Sequence, residues 1–191
     1  MIKDFNIPES QIVAKITTAR MISPTARKVD IPIENGYVGM VDRENFDEFL
    51  RTRAKAAGAH RFTGTFLRVL RNSDKNSVAV VFKEKNSLKE ITLKTKLIIG
   101  ADGARSNVAR AEVPGGKTIP YVIAYHEIIE APKNNQYDPD RCDVIYNGSI
   151  SPDFYGWIFP HGKSASVGMG TKENGFDLKA ATAKIRENSG L

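Results

Sequence analysis

The apolar triplet Leu97-Ile98-Ile99 stops at Gly100-Ala101-Asp102-Gly103, and this junction constrains the fold more than any other stretch. An uninterrupted apolar run suits a strand buried on both faces. Two glycines permit a tight backbone turn, and residues 104–111 read as the helix that follows. Backbone N–H groups at such a helix start can bind a diphosphate. Phosphate would repel Asp102, whose natural partners are then a ribose hydroxyl or a loop amide, while Arg105 puts positive charge nearby. The same residues also describe a plain turn in which Asp102 caps the helix. Spacing alone leaves both readings open.

The segments before this junction are mostly extended. Residues 12–33 are rich in Ile, Val and Thr and read as two extended pieces turning at Ser23-Pro24. Glu34-Asn35-Gly36 is a turn signal, and residues 37–41 form a short strand. The best helix covers residues 43–57. Asp42 stands at its N-cap, Phe46, Leu50, Ala54 and Ala57 recur at helical spacing, and Gly58 ends it. Residues 61–71 read as a strand and 72–76 as a polar turn. Residues 78–83 and 90–94 alternate as in an antiparallel meander with one wet face. After Pro114-Gly115-Gly116 the character changes. Strand candidates at 119–129, 143–146, 154–159 and 165–170 follow one another with no helix before Leu178. The expected fold class is α+β, with a boundary near residues 113–117 dividing a domain at 1–116 from an antiparallel sheet at 117–191.

At 191 residues the chain has room for one domain, or one and part of another. Hydrophobic residues at 41% and charged residues at 26% exclude wholesale disorder, collagen and coiled coil. No apolar run approaches the ~18–20 residues of a membrane span. The net charge of +6 suits anionic cofactors, diphosphates or an anionic membrane surface, and nucleic acid less specifically. A single cysteine, Cys142, excludes an internal disulfide and a Cys-cluster zinc site, and makes a reducing compartment the simpler reading. The N-terminus lacks the features of a signal peptide. Both ends are abrupt, as expected for a piece of a longer protein.

Chemistry-bearing residues are sparse. His60, His126 and His161 show no metal-ligand spacing, and Ser149 and Ser151 have no general-base context. No metalloprotease, P-loop or nucleophile-elbow motif occurs. Redox work on this chain would need an organic cofactor. Arg43 opens its helix at the end where the dipole disfavours a cation, which points to a phosphate-like partner or to simple solvent exposure. Tyr155, Trp157 and Phe159 alternate and so share one strand face, lining either an apolar ligand pocket or an ordinary core.

Taken together, several segments resemble one family. Residues 41–54 with Gly58-Ala59 resemble the helix of flavin-dependent geranylgeranyl reductases. Residues 98–106 resemble the Asp-Gly motif of the wider p-hydroxybenzoate-hydroxylase-like flavoproteins. Residues 153–160, followed by 166–171, are similar to the chlorophyll and bacteriochlorophyll branch of the reductases, as is Arg20-Met21-Ile22-Ser23-Pro24. The resemblance covers residues 19–190. It implies an α/β flavoprotein: an FAD domain with a β-meander, and an antiparallel substrate sheet. It implies reduction of a geranylgeranyl group to phytyl, on the diphosphate or on the chlorophyllide ester, with NADPH or reduced ferredoxin as electron donor. Arg43 matches an FAD-contacting arginine, and Leu67 a position whose backbone meets the adenine part. Asp102 and Gly103 match the motif near the cofactor phosphates and ribose, and Tyr155, Trp157 and Phe159 match the substrate-sheet motif. The resemblance assigns no nucleic-acid partner and no catalytic acid or base. It places the protein in the cytoplasm or on the cytoplasmic face of a photosynthetic membrane.

Two departures from the family stand out. Its strand–GxGxxG–helix unit, which holds the pyrophosphate, is absent, and so is its Gly-Asp-Ala-Ala-like motif, which holds the ribitol. Both belong outside these 191 residues on the expected sides, so the chain reads as the middle of a reductase. Two rival readings are an archaeal-type reductase of geranylgeranyl lipids and a non-catalytic isoprenoid-binding β module. On the leading reading, the purified 191-residue chain is colourless, because Arg43 and the Asp102 loop engage only parts of the cofactor. Stoichiometric yellow flavin surviving gel filtration contradicts that expectation.

Overall fold

A computed structural model describes residues 2–71 and 77–191; the polar turn expected at 72–76 lies outside the described residues. The elements run β1 (Ala14–Ile16), β2 (Thr18–Ile22), β3 (Lys28–Pro32), β4 (Val38–Met40), α1 (Arg43–Ala56), β5 (Gly64–Arg71), β6 (Val78–Glu84), β7 (Glu90–Thr95), α2 (Asn107–Glu112), β8 (Ile123–Glu130), β9 (Arg141–Ile145), β10 (Gly156–His161), β11 (Ser164–Thr171) and α3 (Leu178–Ser189). The mixed α and β class is as expected, and most elements lie where periodicity and turn residues put them.

The chain packs as two compact units, Met1–Leu50 with Val122–Leu191 and, separately, Arg51–Tyr121. This differs from the division expected at 113–117, which kept residues 1–116 together. The reason is a long-range pairing. β2 runs parallel to β9, with Thr18 opposite Arg141 and Ile22 opposite Ile145, so the N-terminal hairpin joins the later sheet.

The first unit holds a six-stranded sheet in the order β3-β2-β9-β10-β11-β8, and a separate β1-β4 pair. All neighbours in the larger sheet are antiparallel except β2 and β9. On one face the charges alternate across β3, β2 and β9. Arg20 grips Asp30 through two hydrogen bonds of 2.6 and 2.7 Å, and Arg141 grips Asp143 through bonds of 2.6 and 3.3 Å. Further along that face α3 packs on the sheet, burying Ala181 and Ile185 against Ile145, Ile158, Val167 and Met169. Burying a side chain of this size contributes roughly 1.5–3 kcal/mol. Asp177 caps α3 by accepting from the Ala180 N–H at 3.0 Å, and Gly190 ends it in the left-handed conformation at φ +64°. Gly156 is where helix and sheet meet most closely: a Cβ there would stand 2.7 Å from Ile185 Cδ1.

The second unit is the β5-β6-β7 meander with α2. Its core lies on the central strand, where Ala79, Val81 and Phe82 are buried and the Phe62 ring sits 5.5 Å from Phe82. Arg71 on β5 pairs with Glu112 on α2. Two expectations need correction here. Residues 97–99 form no strand: Leu97 is 72% and Ile99 81% exposed, and β7 already ends at Thr95. An apolar run becomes a doubly buried strand only where neighbouring strands take up its N–H and C=O groups, and no described strand lies beside this one. The helix expected at 104–111 begins at Asn107 instead, because Ser106 takes the N-cap position.

The fit at Gly156 makes a stability prediction. Gly156→Ala overpacks against Ile185 and should cost ~1–3 kcal/mol, while Ile185→Ala leaves a cavity and should cost ~2–5 kcal/mol. The double variant should be more stable than the sum of the two losses implies. Additive losses in urea denaturation would refute a direct contact.

Candidate functional site

The strand β10 sends its side chains to two different environments. Ile158 and Pro160 point into the core, while Trp157 and Phe159, with Tyr155 just before them, stand half-buried on the face opposite α3. The rings form a continuous row. Tyr155 and Trp157 meet edge to face at 6.1 Å, Trp157 and Phe159 stack at 6.0 Å, and Phe154 stacks on Tyr155 at 4.2 Å. Tyr146 adds an edge contact to Tyr155 at 6.2 Å. The structure therefore sets these aromatics on the face opposite the packed core under α3. Register carries the strip on: Trp157 lies opposite Val144, Val144 opposite Met21, and Met21 opposite the exposed Val29.

What lets the rings lie flat is the neighbouring strand. On β11 the positions facing the row are Ser166, Gly168 and Gly170, all small. A Cβ on Gly168 would sit 2.6 Å from Trp157 Cζ2, and one on Gly170 would sit 2.9 Å from Phe154 Cδ1. The indole N–H of Trp157 donates to Ser166 Oγ at 3.1 Å, and His126 Nδ1 on β8 lies 3.0 Å from the same oxygen. Sequence reading did not connect Ser166 with His126. The visible signal was the small-residue alternation Ser166, Gly168, Gly170; His126 becomes apparent only once β8 is paired with β11. Cys142 offers no nucleophile: burial, helped by Asp143, pushes its thiol up to about 11.

The Asp102 loop closes on itself. One carboxylate oxygen accepts from the N–H groups of Asn107 at 2.7 Å and Val108 at 3.2 Å; the other accepts from the Ser106 hydroxyl. Ser106 Oγ in turn accepts from the Ala109 N–H at 2.9 Å. The donors at the start of α2 are thus satisfied from within, as in the capping reading of the two that the sequence leaves open. Asp102 does cap the helix, and the Ser106 hydroxyl, with the backbone N–H groups, holds its carboxyl below the usual range. Gly103 sits at φ +81°, with open space where a side chain would be.

Arg43, at the first position of α1, has found a partner one turn on. Its guanidinium binds Asp47 through bonds of 2.8 and 3.0 Å while its side chain stays 78% exposed. Leu67 occupies a β-bulge: Phe66 pairs with Phe82 and Arg68 with Val81, so Leu67 has no opposite residue on β6. A bulge leaves peptide groups outside the ladder, as a backbone contact to a ligand requires. The structure brings Tyr155, Trp157 and Phe159 together, and Asp102 with Gly103. Arg43 belongs to the first unit, and Leu67 and Asp102 to the second.

Comparison with known proteins yields a consistent set. The FAD binding domain model matches residues 8–126, more than half of the chain, and the geranylgeranyl reductase catalytic domain model matches residues 121–186. The geranylgeranyl diphosphate reductase of Rhodobacter capsulatus is 60% identical over all of the chain and 48% of its own length. The chloroplastic geranylgeranyl diphosphate reductase of Oryza sativa is 34% identical, over 97% of the chain and 42% of its own length. A geranylgeranyl bacteriochlorophyll reductase-like protein of Thermoplasma acidophilum has a solved structure that superposes with a TM-score of 0.81 at 26% identity, covering 98% of this chain and 49% of that one. The chain spans about half the length of the curated relatives it matches.

The Asp102 cap makes a pH prediction. A carboxyl whose folded pKa is lowered adds stability that is complete above its unfolded value of ~3.9 and is lost as pH falls through the folded value. The amides of Asn107 and Val108 should therefore lose protection from hydrogen exchange on acidification below about pH 4. In Asp102→Asn that acid-dependent step should vanish; an unchanged step would assign it to another group.

Proposed function

This chain belongs to the FAD-binding domain family, as a member of the FAD-dependent geranylgeranyl reductases, and from that membership we infer that the whole enzyme reduces a geranylgeranyl group to phytyl in chlorophyll or bacteriochlorophyll synthesis. The observation that carries this reading is the aromatic row on the open face of the six-stranded sheet. A C20 prenyl chain is apolar and flexible, and holding one of its double bonds in place needs a long, dry, rigid wall. Tyr155, Trp157 and Phe159 provide one, extended by Met21 and Val144. The prenyl group arrives as the free diphosphate or as the chlorophyllide ester.

FAD, when bound, supplies the hydride for the alkene. The residues of this chain that would hold it are Arg43 through its charge, Leu67 through the peptide groups freed by its bulge, and the Asp102-Gly103 loop. Gly103 fits that role because nothing stands where a side chain would block approach to its backbone. The start of α2 has no part in it. Residues 117–191 supply most of the substrate sheet, which β2 and β3 complete, and the rest of residues 1–116 contributes to cofactor binding, a division by task that cuts across the two packing units. NADPH or reduced ferredoxin reduces the flavin. Among the described residues no helix is long and apolar enough to cross a membrane, and the positive surplus of +6 favours a peripheral position on an anionic membrane surface.

The test is made on the full-length protein: a flavin spectrum, followed by turnover of geranylgeranyl substrates. Trp157→Phe should fold and keep flavin. Its reduction by the electron donor should proceed at the wild-type rate, while its oxidation by geranylgeranyl substrate slows as the misplaced chain loses alignment. Stopped-flow measurement of both half-reactions on one sample decides the point. Unchanged prenyl reduction would remove Trp157 from the substrate site.

A further inference from the structure

We propose that Ser166 and His126 are positioning residues of the aromatic wall: together they lock the Trp157 indole in one of its two ring orientations, flat over Gly168, so that a prenyl chain meets its apolar surface. The proposal rests on the reading of this face as the prenyl-binding surface.

The donor and acceptor inventory of the cluster carries the argument. An indole nitrogen can only donate, so Ser166 Oγ must be the acceptor of the 3.1 Å bond from Trp157 Nε1. The hydroxyl still has its single proton to give, and His126 Nδ1 lies 3.0 Å away. Donation to Nδ1 satisfies all three groups and leaves the imidazole proton on Nε2. Ser166 is 5% exposed, so its own orientation is held by its surroundings. The torsion that turns an aromatic ring about its Cβ–Cγ bond has a broad two-fold preference. Rotating the indole by half a turn would take its N–H away from Ser166. It would also move Cζ2 off the notch at Gly168. An indole N–H left without a partner beside a hydrocarbon chain costs free energy, so the Ser166 bond favours one orientation both in the wall and against its ligand.

Trp157 is the single tryptophan of this chain, so its emission reports on the lock directly. Fluorescence and acrylamide quenching are measured on the 191-residue chain carrying Ser166→Ala, His126→Phe or His126→Gln. Ser166→Ala should shift the emission maximum and raise the quenching constant. His126→Phe should do so to a smaller degree, and His126→Gln, which keeps a hydrogen-bonding partner for Ser166, should stay at wild type. In the full-length enzyme Ser166→Ala should lower kcat for a geranylgeranyl substrate roughly 10- to 100-fold with a smaller change in KM, and His126→Gln should retain activity that His126→Phe loses. Wild-type emission and quenching in Ser166→Ala would overturn the proposal. Should that variant fail to fold, indistinguishable spectra for His126→Phe and His126→Gln would overturn it equally. A wild-type enzyme that does not reduce any geranylgeranyl substrate would refute the functional reading and leave the emission result to decide the lock.

Discussion

Strand β11 is buried on both faces, and the first unit is built around meeting that demand. Ala165, Val167, Met169 and Thr171 are fully or nearly fully buried on the side that carries α3. Ser166, Gly168 and Gly170 are covered on the other side by rings from β10 and the segment before it. The two faces use opposite devices. Toward α3 the strand supplies bulk, and the helix comes close because Gly156 on β10 leaves a notch for Ile185. Toward the aromatic row the strand supplies almost nothing, so the rings can lie against its backbone. Glycine weakens a strand through entropy and lost packing, and the rings offset this by covering the backbone that the glycines expose.

The sheet is completed by a pairing that no local pattern announces. β2 and β9 are more than 115 positions apart, and parallel neighbours need a long crossover between them. The charges on their shared face show how the register is held. Arg20 stands between Asp30 on one side and Asp143 on the other, and Arg141 closes the row. A one-residue slip would turn this row to the opposite face and put the apolar strip in its place. Each edge of the row therefore reinforces the alternation that assigns Met21 and Val144 to the aromatic face.

This explains which features were legible beforehand. The helix at Arg43–Ala56 was readable because its cap, its spacing and its terminal glycine are all local. The meander and the strands β8 to β11 were readable for the same reason, as was the alternation of Tyr155, Trp157 and Phe159. The membership of β2 and β3 in the later sheet was not, because it depends on a partner far along the chain. Leu97-Ile98-Ile99 misled in the opposite way: composition shows what a segment can bury, not whether a partner is there to bury it. The Asp102 motif was seen as a motif and its two readings as rivals. The hydrogen bonds make it a cap and occupy the donors at the start of α2. Ser166 and His126 were invisible as a pair because they are 40 positions apart and meet only through strand pairing.

The arrangement of the aromatic row also bears on what the face is for. Keeping an apolar side chain from full burial forgoes part of the roughly 1.5–3 kcal/mol that each would contribute in a core. Here the shortfall falls on several rings at once, with Val29 and Ile128 exposed on the same face at its two edges. Contiguous apolar surface of this kind marks a place where another molecule completes the packing. A surface meant only for a second protein would not need one indole pinned by a buried hydroxyl over a glycine, since side chains at such contacts can repack on association. A surface that must hold a flexible hydrocarbon with one bond in a defined place does need it, because the ligand brings no rigidity of its own and alignment has to come from the wall. The fixed orientation of Trp157, rather than the apolar character of the face alone, is therefore the feature on which the proposed prenyl-binding role of this sheet depends.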